Sequence, residues 1–578
     1  MIRQIVGGLS AILATIAVAS CAGGQQTAQP AAPVASPAVP PQAGDTPAGN
    51  FLAGRFAQNA HDLPAAAAFL RSAEREDPDD IEVLQRAHLA LAADGQLAEA
   101  AELAQRVLKF DNDAAIAAVI VAEQNMKVGR WAGASALVEA LPKRGFNMVM
   151  VPMIVAWAEM GQGHIDKALA ALDPLKAEGH QPALYEYNAA LICDLADRKK
   201  DAEAHYRAAL AAEGGEVLRT VQAAAAFFRR NGAADAAGDI VRRYRLNHSD
   251  AQMVDLDSDK RPIDSPRVGA AETLFALAGT LRQSGANDLA LIFARLTLDL
   301  DPNFALAQML AGDSLVDMGR LDAANDMYRE IDTNAPAYWV AQLRLASDYD
   351  AQDRLDDAIH TLETVAARRP DRADALVMLG DLLRRHSRWT EAIAAYDRAL
   401  AIVGKPNRTD WALYYARGVA EHEANLWPRA EEDFQHALAL NPEQPDVLNY
   451  LGYSWVDKGI NLDRAQKMIE KALEQRPTSG FMVDSLGWVF FRTGQYEKAV
   501  QELERAVELT PDDAEINAHL GDALSAVGRA EEARFQWRRA LIYKPDAALK
   551  AELERKIKDG FKPPPPIRSD KDSADKGI

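Results

Sequence analysis

Asn449-Tyr450-Leu451-Gly452-Tyr453-Ser454-Trp455, Asp484-Ser485-Leu486-Gly487-Trp488 and His519-Leu520-Gly521-Asp522 are three versions of one phrase, all between Glu443 and Pro545. Behind each Leu-Gly come an alanine at 465, 499 and 533, a second at 472, 506 and 540, and a proline at 477, 511 and 545, so the series advance by 34 or 35 residues. A period of that length is one helix-turn-helix unit, repeated. The spacing has a steric meaning. Glycine midway along the first helix and alanine early in the second let the two backbones cross closely. Proline then ends the unit, because it carries no amide proton and clashes with the preceding turn.

The same marks extend towards the N-terminus. The period predicts about fourteen units from Phe51 onward, beginning with Gly54, Ala66, Ala73 and Pro78. Units three to six keep turn glycines (Gly129, Gly163, Gly232) and small crossing residues (Ala134, Ala168, Ala202, Ala237) but lose the prolines and most aromatics. Stacking there is expected to rest on alanine and to be looser. Cys193 falls at an inward position of the fifth unit and reads as a buried structural thiol. Between two arrays, 51–246 and 270–547, the period breaks at 247–269, a polar stretch holding Pro262 and Pro266. A tolerated loop insertion is preferred there over an articulation between two arms. Unit twelve carries one extra residue, since Gly459 to Ala465 spans six steps where Gly494 to Ala499 spans five.

At the far end, residues 546–560 read as a capping helix that covers the last exposed core face. Residues 561–578, with Pro563 to Pro566, read as a solvated disordered tail in preference to a polyproline ligand for another protein.

Residues 1–20 begin with Arg3 and an apolar run from Ile5 to Val18, too short to span a bilayer and typical of an export signal. Val18-Ala19-Ser20-Cys21 resembles the lipobox of bacterial lipoproteins, which implies cleavage before Cys21 and lipid attachment to it. Ordinary secretory cleavage after Ala19 is the alternative, and would leave Cys21 a free thiol. Ala22 after the cysteine favours, by the same resemblance, the periplasmic face of the outer membrane of a Gram-negative cell. Residues 21–50 are rich in Pro and Ala and form a tether; as a polyproline-like chain at ~3.1 Å per residue it reaches roughly 90 Å.

Composition narrows the function. A formal charge of −20 over 578 residues repels nucleic acid and anionic headgroups, so no nucleic-acid partner is expected. Two cysteines without CxxC spacing make neither a disulfide framework nor a metal site. His422-Glu423 lacks the second histidine of a zinc helix, and no GxSxG or phosphate loop occurs. No cofactor, metal or catalytic residue is predicted, and the chain reads as an interaction protein rather than an enzyme.

The phrases quoted above identify residues 51–547 as similar to the tetratricopeptide repeat family. The resemblance implies an all-α, right-handed superhelical solenoid that binds extended or helical protein segments along its inner face. In that family ligands touch positions 2, 5, 9, 12 and 13 of each first helix. These positions fall on Asp446, Asn449, Tyr453, Val456 and Asp457 in unit twelve, and on Phe481, Asp484, Trp488, Phe491 and Arg492 in unit thirteen; Tyr415 joins them from unit eleven. Asp484 and Trp488 stand where the chaperone-binding members place an asparagine-lysine clamp, so a tail carboxylate is not the implied ligand. Aromatic residues flanked by acids suit an apolar or basic segment, although Trp488 and Tyr453 could equally serve only to pack neighbouring first helices. Lipobox, tether and many repeats together resemble proteobacterial outer-membrane lipoproteins of this family. One kind binds the periplasmic carboxy-terminal processing protease and presents peptidoglycan hydrolases to it. The implied function is a lipid-anchored periplasmic scaffold or adaptor; the alternative is a structural or assembly subunit of an envelope polysaccharide or secretion machine.

Overall fold

The computed structural model describes residue 44 and residues 46–176 and 181–567. The leader, Cys21, nearly all of the tether and residues 568–578 lie outside the described residues. Helices follow one another in pairs, from Pro47–Asn59 with Leu63–Glu76 to Ala514–Ala526 with Ala530–Ile542, making fourteen pairs before a last single helix, Ala547–Asp559. Among the described residues there are no strands, and the architecture is an all-α helical-repeat solenoid.

The periodic glycines make room for large side chains. A Cβ at Gly487 would lie 2.6 Å from Leu503 Cγ, one at Gly452 2.9 Å from Ile469 Cγ1, and one at Gly521 2.4 Å from Trp537 Nε1. Each glycine therefore receives a bulky residue of the second helix, whose two alanines are fully buried at the crossing. Successive pairs are also tied through the backbone. Arg505 donates to the carbonyl of Pro477 at 2.6 Å and Arg539 to that of Pro511 at 3.1 Å, so an arginine in each second helix holds the turn that closes the preceding pair. The extra residue of pair twelve is absorbed by a turn in which Gly459 and Asn461 are both left-handed (φ 70° and 51°).

The chain forms two compact units that divide between Val365 and Ala366, inside the helix Leu355–Arg368. The break in period at 247–269 lies wholly within the first unit. It is a packed connection, with Leu256 and Ile263 buried. Arg230 donates to the Asp259 carbonyl at 3.2 Å, Arg261 pairs with Asp197 at 2.9 Å, and Tyr244 donates to Asp250 at 3.0 Å. Its last residues are helical, because Ser265 caps and Pro266 opens the helix Pro266–Gln283, where proline's missing amide is not needed.

One continuous core runs from Ala57 to Ala341, and Trp157, Tyr206, Phe227, Phe228 and Phe293 are fully buried in it. Trp157, Phe227 and Phe228 lie in first helices, where the alanine pattern of the second helices does not announce them, whereas Tyr206 follows Ala202 as Tyr396 follows Ala392. Cys193 is buried and unpaired, with burial pushing its thiol up to about 11, as suits an inert residue.

At the other end, Asp546 caps the helix Ala547–Asp559 by accepting from Leu549 N at 2.7 Å. Leu553 and Lys556 of that helix are buried. Lys556 turns inward to Asp522 at 2.7 Å, and the same carboxylate accepts from Trp537 Nε1 at 3.0 Å. Within residues 561–567 the tail touches the last three pairs at Phe561, Pro566 and Ile567, while Lys562, Pro564 and Pro565 are exposed. Four prolines preclude a helix but not docking, since an already extended segment loses little freedom when it is held.

Candidate protein-binding groove

Counting back from the turn between the helices of a pair locates the inward positions in every repeat. Trp488, Asp484 and Phe481 precede the turn residue Gly494 by six, ten and thirteen residues. In pairs four, five and six the corresponding residues are Trp157 before Gly163, Tyr187 before Asp197 and Arg219 before Gly232.

Those three residues already hold a helix of their own chain. Trp157 packs against Gly269, where a Cβ would come within 2.0 Å of the indole. Its Nε1 donates to Asn188 at 3.0 Å, and Thr273 reaches the same oxygen at 3.5 Å. Tyr187 donates to Glu272 at 2.8 Å, and Arg219 Nε contacts both carboxylate oxygens of Glu272 at 3.0 and 3.1 Å. Burial pushes the Tyr187 hydroxyl well above its ordinary range, and the Glu272 charge adds to the shift. For Arg219 burial opposes the charge, but Glu272 outweighs it and holds the guanidinium above its usual value. The helix Pro266–Gln283 thus fills the inner face of pairs four to six as an internal ligand. The packed 247–265 segment is the connection that turns the chain back into it.

In the second unit the main helix contacts are between nearest and next-nearest neighbours in sequence, and Tyr453 adds a side-chain reach from pair twelve to pair fourteen. Three of the sequence-predicted groove residues, Tyr453, Asp484 and Trp488, gather there around one they did not include. His519 stacks on Trp488 with ring centres 4.0 Å apart and contacts Asp484 at 3.0 Å. Burial disfavours charge on this imidazole, but Asp484, with Glu515 and Asp522 beyond it, overrides that and holds it at about 9. Trp488 also stacks on Phe491 at 4.8 Å. Tyr453 donates to Glu515 at 2.9 Å across the intervening pair, Asp457 meets Arg492 at 3.4 Å, and Phe481 is half-buried against the core of the last pairs.

Two predicted residues lie apart. Tyr415 belongs to a separate aromatic group with Tyr450 at 5.9 Å and Phe434 at 6.0 Å. Asn449 is half-buried and its Oδ1 has no hydrogen-bond partner among the described residues. The buried Trp488 Nε1 is likewise unpartnered. An unsatisfied buried donor or acceptor is destabilising by ~1–3 kcal/mol. His519 was missed because it does not occupy a ligand position of its own helix; only the rotation between pairs thirteen and fourteen brings it over Trp488.

No group of three or more metal-ligating side chains occurs among the described residues, and no described helix is long and apolar enough to cross a membrane. What the arrangement offers is aromatic area and carboxylates on a repeat scaffold.

Comparison with known proteins agrees with the period. A tetratricopeptide repeat family model matches residues 343–406, and a second repeat model of the same kind matches 487–528. The TPR repeat-containing protein PA4667 of Pseudomonas aeruginosa is 27% identical over 193 residues, spanning 32% of this chain and 32% of the relative, so the likeness is to about a third of that protein. The crystal structure of the APC/C hetero-tetramer Cut9-Hcn1 is similar over 90% of this chain and 97% of that one, at 14% identity and a TM-score of 0.37. A tetratricopeptide repeat protein from Parabacteroides merdae is similar over 44% of this chain and 98% of its own, at 17% identity and a TM-score of 0.38. The chain therefore carries tetratricopeptide repeats at 343–406 and 487–528, set within a run of fourteen helix pairs among the described residues.

Proposed function

We propose that this protein is a non-enzymatic, lipid-anchored adaptor of the Gram-negative envelope, held at the periplasmic face of the outer membrane through Cys21, and that its second unit recruits partner proteins. Tetratricopeptide repeats are scaffolds for protein-protein interaction, and that coarser role follows from the family. The observation that carries the finer reading is the unequal use of the inner face. Pairs four to six spend Trp157, Tyr187 and Arg219 on the chain's own helix Pro266–Gln283, whereas Trp488, Asp484 and Tyr453 of the later pairs make their contacts with Phe491 of pair thirteen and with His519 and Glu515 of the last pair. The second unit is therefore the part that receives an outside segment, of apolar or basic character. A periplasmic carboxy-terminal processing protease and its cell-wall hydrolase substrates are the partners that the lipoprotein resemblance favours.

A photo-crosslinking side chain in place of the exposed Asp457 tests this in living cells. Crosslinks to such a protease or hydrolase support the adaptor. Crosslinks confined to a polysaccharide or secretion assembly favour the structural-subunit reading instead. The anchor is tested separately: Cys21→Ser should move the protein from the membrane to the soluble fraction, and its retention there would refute lipidation.

A further inference from the structure

The tail makes a second, sequence-specific contact that neither the repeat period nor the inner face explains. Phe561 follows the capping helix and sits between Phe491 and Trp537, with ring centres 6.4 and 6.2 Å away, beneath the Lys556 ammonium at 4.7 Å. Its carbonyl accepts from Ser525 Oγ at 3.0 Å. The chain then runs as Lys562-Pro563-Pro564-Pro565-Pro566 to Ile567, whose amide donates to the Arg492 carbonyl at 2.9 Å.

The turns of pairs twelve and thirteen are shaped to this passage. A Cβ on Gly494 would come within 2.7 Å of Pro566, and one on Gly459 within 3.1 Å of Ile567. Both glycines are left-handed turn residues, so the same absence of a side chain makes the turn and clears the track. A polyproline segment advances ~3.1 Å per residue, so the five steps from Phe561 to Pro566 cover about 16 Å, enough to link the aromatic notch to the thirteenth turn without folding.

We propose that this track is a binding site for an extended proline-rich segment of the form aromatic-x-Pro-Pro-Pro-Pro-aliphatic, and that the chain's own residues 561–567 occupy it in cis. The aromatic notch reads the leading ring. The glycine turns admit only a slim, already extended backbone, and the Arg492 carbonyl takes the first amide available after the prolines. A segment of the same chemistry enters from outside only by displacing the tail. The site lies along the turn edge of pairs twelve to fourteen, and the inference does not depend on the inner-face reading above.

The test compares the full chain with one ending at Gly560, using a fluorescent peptide of residues 559–567. The shortened chain, with unchanged helical circular dichroism, should bind the peptide saturably. The full chain should bind it at least tenfold more weakly, and Phe561→Ala in the peptide should lower affinity at least tenfold. A folded shortened chain that ignores the peptide overturns the proposal, as does a full chain that binds it equally well.

Should the shortened chain unfold, the full chain carrying Phe561→Ala and Ile567→Asp replaces it in the same comparison. Hydrogen exchange supplies a second readout. The Ile567 amide should exchange at least tenfold slower than in the free peptide, and exchange at the free-peptide rate means that the track is not occupied in cis. Loss of crosslinking at Asp457 with intact peptide binding would refute the adaptor reading alone.

Discussion

The indole of Trp157 lies so close over Gly269 that a Cβ at position 269 would come within 2.0 Å of the ring. The contact joins an inward position of the fourth pair to the helix that fills the groove. Gly269→Ala sets two effects against each other. Alanine improves helix propensity by up to ~1 kcal/mol, but Trp157 is fully buried and cannot yield, and overpacking of this kind is destabilising by ~1–3 kcal/mol. Sterics should win, lowering the urea midpoint of the first unit; an unchanged or raised midpoint would show that the helix is not seated as described.

The Arg219–Glu272 pair locks the same helix polar-side down. Glu272→Gln leaves a buried guanidinium without its counter-charge, and breaking such a pair from one side is destabilising by ~3–5 kcal/mol. Arg219→Met together with Glu272→Met removes both charges and should recover most of that loss. Chemical denaturation of the two variants decides the point, since equal losses in both would mean that the pair contributes packing rather than charge.

These two contacts also mark where sequence reading stops. Gly452, Gly487 and Gly521 announce the helix crossings because their partners Ile469, Leu503 and Trp537 follow them at 16 or 17 residues, the longer step being the extra residue of pair twelve. Gly269 against Trp157 is a contact outside the period, so no local pattern signals that one helix occupies the groove of three others. The aromatic and acidic residues of pairs twelve and thirteen were legible by position. His519 was not, since its place over Trp488 depends on the rotation between neighbouring pairs. The tail's contacts were not legible from composition, because prolines preclude a helix but do not say what an extended segment can touch.

Glu123 of the third pair is fully buried, and burial first, then the nearby Asp299, pushes its carboxyl up to about 9. Gln124 and Lys127 both donate to Asp299 at 2.7 Å; Gln124 also donates to Glu123 Oε2 at 3.0 Å, while Glu123 Oε1 has no hydrogen-bond partner among the described residues. A folded value above the unfolded one means that the native state holds a proton the unfolded state has lost. Stability should therefore fall as pH rises from about 4.5 towards 9. Glu123→Gln should flatten that slope and stabilise the protein by about 1–4 kcal/mol at pH 8. Thermal melts across this range check it, and a variant less stable than the parent at pH 8 would contradict the assignment.

His519 titrates in the same direction for a different reason. Its folded value of about 9 lies above the ordinary 6.5, so the contribution of the Asp484–His519 contact is complete below pH 6.5 and is lost as pH rises through about 9. The full effect is at most about 3 kcal/mol at this depth of burial. His519→Gln keeps a polar side chain but abolishes the titration. The second unit's unfolding midpoint should then lose its dependence on pH between 6.5 and 9, whereas persistence of the slope would place its origin elsewhere.

Binding at the inner face is separable from folding because Tyr453 and Trp488 act differently. Tyr453→Phe removes only the hydroxyl that reaches Glu515, so it leaves the ring area and frees a carboxylate. Trp488→Ala deletes the surface stacked on His519 and Phe491 and should lower both stability and partner affinity. Trp488→Ala with Tyr453→Ala is expected to weaken capture of the crosslinked partner by more than ~1 kcal/mol, about fivefold or more. Tyr415→Ala serves as the comparison, because its ring packs with Tyr450 and Phe434 away from this cluster and its loss should act mainly through stability. The decisive measurement is partner affinity at a temperature where all variants keep full helical signal. Retained affinity in the double variant would remove Tyr453 and Trp488 from the binding surface and leave them a purely structural role between the first helices.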